Sequence, residues 1–110
     1  MSLTRDEILD ALDLPTKVVQ VPEWGPGGIV YVRTLTGLEV EATKDIADQP
    51  NFLGCFAAAV LCDETGKRLF TDEDAAALGG KSHAMLIHIC EEAQELNGLT
   101  KTAREKTEKN

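Results

Sequence analysis

KVVQVPEWGPGGIVYVRTL, residues 17–35, reads as two short runs rich in β-branched residues on either side of a Gly/Pro interval. Val, Ile, Tyr and Thr pack well on a pleated surface, whereas Pro22, Gly25, Pro26, Gly27 and Gly28 favour turns, so the spacing predicts a β-hairpin with a wide loop at residues 22–28. A two-stranded sheet is not stable alone. The hairpin must therefore be covered by helices or extended by another chain's strands.

Helix signals surround the hairpin. Thr4, Thr36 and Thr71 each stand between apolar residues with an acid three positions on, namely Glu7, Glu39 and Asp74. In that capping box the hydroxyl accepts from the third helical amide while the acid reaches back to the cap's own amide, so three helix starts follow. The first helix spans residues 5–12, with Ile8, Leu9 and Leu12 on one face, and stops before Pro15. A second spans 37–47. A third, NFLGCFAAAVL at 51–61, is apolar nearly all round, the mark of a central or interface helix. Residues 63–66 form a turn and 67–70 an extended run, followed by a short helix at 72–78 closed by Gly79 and Gly80. The last helix has Ser82 as cap, a stripe of Leu86, Ile89, Cys90, Ala93 and Leu96, and a stop at Asn97-Gly98. The fold class is α+β, mostly helical, with the hairpin in the N-terminal half.

At 110 residues, with 43% hydrophobic and 27% charged side chains, the chain has the composition of one globular domain, placed at residues 1–99. The run TKTAREKTEKN beyond Leu99 offers no apolar residue larger than Ala, so residues 100–110 read as a flexible charged tail. Net charge is −8, divided between an acidic body, with 7 basic and 17 acidic residues, and a slightly basic tail, with 4 and 2. A body of that sign repels phosphate backbones and anionic lipid, which argues against nucleic-acid and membrane partners. No apolar run approaches the roughly 20 residues of a membrane span, and the acidic start does not read as a signal peptide. A cytoplasmic location is expected, with Cys55, Cys62 and Cys90 as reduced, buried thiols.

No catalytic constellation emerges. Gly79-Gly80-Lys81-Ser82 looks like the end of a phosphate-binding loop, but Ala75 stands where that loop needs its first Gly, and an acidic helix leads in instead of a strand. His83 and His88, five apart on a helix, point in different directions, with Cys90 on another heading, so no metal site is expected. None of the cysteines carries a nucleophile signature. The carboxylates at Asp72, Asp74, Glu91, Glu92 and Glu95 read as cap and solvent-face residues. No catalytic residue, cofactor or metal is assigned. Candidate partner-binding residues are Trp24, at the mouth of the Gly/Pro loop, and Phe52 and Phe56 on the apolar third helix, whose apolar count exceeds what one face can hide.

Four phrases carry a family likeness: VPEWG at 21–25, VYVRTLTGLE at 30–39, LCDETGKRLF at 61–70 and AQELNGL at 93–99. They resemble the tail assembly chaperones of long, flexible-tailed, lambda-like bacteriophages and prophages, and the likeness spans nearly all of residues 1–99. The resemblance implies a non-enzymatic protein of the host bacterium's cytoplasm. Such a protein binds the tape measure protein, promotes tail tube assembly around it, and is not retained in the virion. It also implies a homo-oligomer, with the tail tube protein as a further candidate partner, and in many such families a longer frameshifted form. The alternatives are a structural head–tail connector or other small tail component, and, third, a small host regulator.

Overall fold

A computed structural model describes residues 2–99; the charged tail assigned to residues 100–110 lies outside them. The hairpin forms with β1 (Thr16–Gln20) antiparallel to β2 (Ile29–Arg33), a one-residue shift from the expected first strand. Pro22–Trp24 makes a 3-10 turn, and Gly27 takes the left-handed backbone (φ 71°) that the loop needs.

The sheet is extended by the chain's own third strand. β3 (Leu61–Cys62) pairs antiparallel with β2, Tyr31 opposite Cys62 and Val32 opposite Leu61, giving the order β1-β2-β3. Arg68 then bridges to Cys62. The apolar run that reads as helix to residue 61 switches at Leu61, whose backbone is extended (φ −68°, ψ 127°). Nothing in the apolar pattern marks that change, because a buried helix end and a buried strand look alike by periodicity.

Directly opposed residues share a sheet face and neighbours alternate. Val19, Val32 and Leu61 therefore lie on one face, and all are at most 3% exposed. That face is covered by α5 (His83–Leu96), whose Met85, Leu86, Ile89, Cys90 and Ala93 are buried. Leu96 packs at the edge of the same cluster. Lys17, beside Val19, pairs with Glu92 of α5, and its charge is favoured further by Glu95. Each large apolar side chain sealed here contributes about 1.5–3 kcal/mol.

α3 (Phe52–Val60) runs through the middle, burying Gly54, Phe56, Ala57, Ala58 and Val60 against α5 and α4 (Ala75–Gly79). The helices flanking it are more exposed. α1 (Arg5–Asp10) and α2 (Gly37–Ile46) start at Thr4 and Thr36 with both bonds of the expected capping box, yet neither buries a residue. At Thr71 the Asp74 carboxylate accepts from the threonine's amide and hydroxyl, and the element begins as a 3-10 turn (Asp72–Asp74) before α4. Ser82 occupies the N-cap of α5, but its hydroxyl makes no capping bond.

Candidate functional site

The ends of α3 are fixed by side chains from distant elements. At its start Asn51 adopts the left-handed backbone (φ 63°) and donates its side-chain amide to the Ala75 carbonyl, 2.8 Å away. Gly54 lets α4 approach: a Cβ there would fall on the Ala75 carbonyl oxygen and the Asn51 amide. Gly79 leaves room for the same amide. Gly79 thus serves packing between α4 and the start of α3, and the element entering the Gly79-Gly80 pair is α4, not a strand.

At the other end the last carbonyls of α3 meet two guanidinium groups. Arg33 Nε donates to Ala59 O at 2.7 Å, and Arg68 donates through Nε and a terminal nitrogen to Ala58 O at 3.2 and 2.9 Å. Positive charge at a helix C-terminus satisfies free carbonyls and complements the dipole. Arg33 also grips Glu39, whose pKa falls to about 2 through that bond and through the Thr36 amide.

Among the described residues, shallow hollows lie along α3 and beside its C-terminal end. One, about 350 Å³, lies between α2 and α3 over Ala42, Ile46, Cys55 and Ala59, with Arg68 and Asp72 at its rim. A second, about 370 Å³, is walled by Trp24, Val30, Leu61, Leu69, Phe70 and Leu78. A third, about 280 Å³, is lined by Phe52, Leu53, Gly79, His83 and Leu86. Lys81 borders both the second and the third. Trp24 and Phe52 thus line separate hollows that share Lys81. Sequence reasoning missed Leu69 and Phe70, which stand in a phrase singled out only for its family likeness.

Phe56 is placed differently. It is 1% exposed within the chain, with its ring centroid 5.7 Å from that of Phe52, so it packs in the core behind Phe52. The apolar surplus of α3 is absorbed within the chain by α4 and α5. Exposed apolar surface lies elsewhere, at Trp24 and Leu69, at Val18 and Ile29 of the hairpin, at Leu38 of α2, and on the N-terminal segment at Leu3, Ile8, Leu9, Leu12 and Leu14.

Among the described residues no three His, Cys, Asp or Glu side chains converge as metal ligands, and no buried side-chain nitrogen or oxygen lacks a partner. Burial pushes the Cys90 thiol up to about 12 and raises Cys62 as well, so neither supplies thiolate at neutral pH. His88 Nε2 sits 3.2 Å from the Gln20 carbonyl, and His83 is exposed.

Compared with solved structures, the chain superposes on the bacteriophage HK97 tail assembly chaperone with a TM-score of 0.61, over 83% of this chain and 90% of that one, at 20% identity. The fold is that of a tail assembly chaperone. No protein-family model and no curated protein matches the sequence. Identity this low leaves the lining residues to be read from this chain alone.

Proposed function

We propose that this chain is a phage tail assembly chaperone that binds the tape measure protein, promotes assembly of the tail tube around it and leaves before the virion is complete. The observation that carries the reading is the fold shared with the HK97 tail assembly chaperone, and the sequence resemblance points the same way. It acts by binding and not by catalysis, in the host bacterium's cytoplasm, as a homo-oligomer. The tail tube protein is a second partner.

A tape measure protein is long, helical and apolar, so its binder must accept side chains projecting at helical spacing. The hollows at Trp24 and Phe52, which share Lys81, offer two apolar sockets, with Phe56 packed behind the Phe52 ring. Aromatic anchors in such sockets carry a large share of contact energy. The acidic exterior keeps the loaded complex dispersed.

Co-expression tests this. The tape measure protein should stay in the soluble fraction with the wild-type chain and precipitate with Trp24→Ala/Phe52→Ala, whose own helical content should be retained. Immunoblots of purified phage should lack the chain. A tape measure protein that precipitates regardless would sink the reading, and stoichiometric chain in the virion would favour a structural tail component.

A further inference from the structure

The two edges of the sheet differ. Beyond β3 the chain turns at residues 63–66 and runs back, with Leu69 N donating to Leu61 O at 3.1 Å and Asp63 N to Lys67 O at 2.8 Å, so that edge is closed by the chain itself. The β1 edge is open. Along an antiparallel pair, residues that exchange hydrogen bonds with the neighbouring strand alternate with residues whose N–H and C=O point away from it. Thr34 N donates to Pro15 O and Val21 N to Gly28 O at the two ends of the hairpin, which places Lys17 and Val19 among the inward-bonding residues. The N–H and C=O groups of Thr16, Val18 and Gln20 therefore point outward, and among the described residues Gln20 O alone meets a partner, His88 Nε2 at 3.2 Å.

Edges are ordinarily blunted by outward charge, proline, a bulge or a covering element, because bare ladder groups template another strand. The strand TKVVQ has no proline and pairs through all five residues without a bulge. Its one charge, Lys17, is turned onto α5, where Nζ contacts Glu92 and lies 4.0 Å from Glu95. Five residues are enough to hold an added strand.

The flanks of the edge specify which strand fits. Directly opposed residues share a face, so residues added opposite Thr16, Val18 and Gln20 stand on the face away from α5. Val18 and Ile29 are each 50% exposed there, with Tyr31 half-buried between them and Gly66 lying against the Thr16 methyl group. That flank is apolar. Residues added opposite Lys17 and Val19 stand on the α5 side. His88, Glu92 and Glu95 follow β1 along one stripe of α5, and the exposed Glu91 is one helical turn from both His88 and Glu95. Three carboxylates stand beside one ammonium, so this flank favours cations.

We propose that the β1 edge is a strand-addition site for an extended segment of another protein, in which apolar residues alternate with Lys or Arg. The apolar set continues the open face beyond Val18, and the basic set meets Glu91 and Glu95. Main-chain bonds to Thr16, Val18 and Gln20 supply affinity, while the alternation fixes the register. The site shares no residue with the hollows at Trp24 and Phe52. It takes an extended segment, where those take side chains at helical spacing, so it does not depend on the reading of the hollows.

Fluorescence anisotropy of a labelled peptide, acetyl-KVKVKVK-amide, titrated with the full chain tests this without any tail protein. The wild type should bind it, and should bind the composition-matched KKKKVVV at least about tenfold more weakly. Methylating one alternate set of peptide amide nitrogens should abolish binding while methylating the other leaves it intact, since only one set faces β1. Val18→Pro removes an outward N–H and spares the β1–β2 ladder, so it should weaken binding at least about tenfold with the melting temperature retained. Should that variant fail to fold, the methylated peptides carry the test on the wild-type chain. No binding by the wild type, equal affinity for the alternating and blocked peptides, or equal effects of the two methylation sets would each overturn the proposal. So would a wild-type oligomer that falls to the chain mass in a folded Val18→Pro variant, since a second copy would then occupy the edge.

Discussion

Arg33 and Glu39 form a two-point ion pair, Oε1 at 3.1 Å and Oε2 at 2.5 Å from the two terminal nitrogens. The remaining guanidinium nitrogen closes α3 on Ala59 O. One side chain therefore joins the end of β2, the cap of α2 and the end of the central helix. The Arg33 side chain is 13% exposed, so little water is available to replace it.

Arg33→Met should cost about 2–4 kcal/mol, since it strands the Ala59 carbonyl and the Glu39 carboxylate together. Urea unfolding followed by circular dichroism measures this. A loss below about 0.5 kcal/mol would show that the three elements hold together without the guanidinium.

Acid should dissolve the same contact within a defined window. The Glu39 pKa falls from 4.5 to about 2 in the fold, so the unfolded chain takes up the proton first. The pair's contribution is complete above about pH 5 and is lost as pH falls through 2. A shift of that size corresponds to roughly 3 kcal/mol for a sealed group. The Glu39 side chain is 37% exposed, so screening reduces it to about 1 kcal/mol. The stability difference between wild type and Glu39→Gln should shrink toward zero between pH 5 and pH 2, and curves that remain parallel would contradict the assignment.

Gly54→Ala adds one methyl group at the closest approach of α3 and α4. Because the Ala75 carbonyl and the Asn51 amide already occupy that space, the change should destabilise by about 1–3 kcal/mol despite alanine's better helix propensity. Gly37→Ala, in open space at the start of α2, is the control and should be nearly neutral. Equal melting temperatures for the two variants would show that the helices can separate freely.

The three free thiols should differ in reactivity. Cys62 and Cys90 are 1% and 3% exposed, and burial raises both pKa values, whereas Cys55 borders the hollow between α2 and α3. A water-soluble disulfide reagent at pH 8 should modify one thiol per native chain and all three after denaturation. Fast modification of two or more in the native state would mean that α5 opens readily.

The hairpin, the Thr4 and Thr36 boxes and the buried stripe of α5 were legible because each rests on local chemistry or on a repeating spacing. β3 was not, since it continues an apolar helix without a turn residue between them. The burial of Phe56 was equally hidden: an apolar count says that α3 needs partners, but only the positions of α4 and α5 show how much of it the chain itself covers. The Asn97 contacts lay beyond any local signal. Its side chain accepts from the Leu35 amide at 2.6 Å and donates to Arg33 O and Ala93 O, where the sequence shows only a helix stop. For the candidate site, Trp24 stood out by its loop, while its meeting with Leu69 and Lys81 is a product of tertiary folding.

The covering of the sheet by α5 sets an order of events during synthesis. β1 and β2 are complete at residue 33, but the helix that seals Val19 and Val32 ends at Leu96, roughly sixty residues later. At about 5–20 residues per second, the nascent hairpin waits several seconds with its valines in water. Strand pairing in the growing chain can therefore be only provisional, and translation of α5 is the step that makes the sheet permanent.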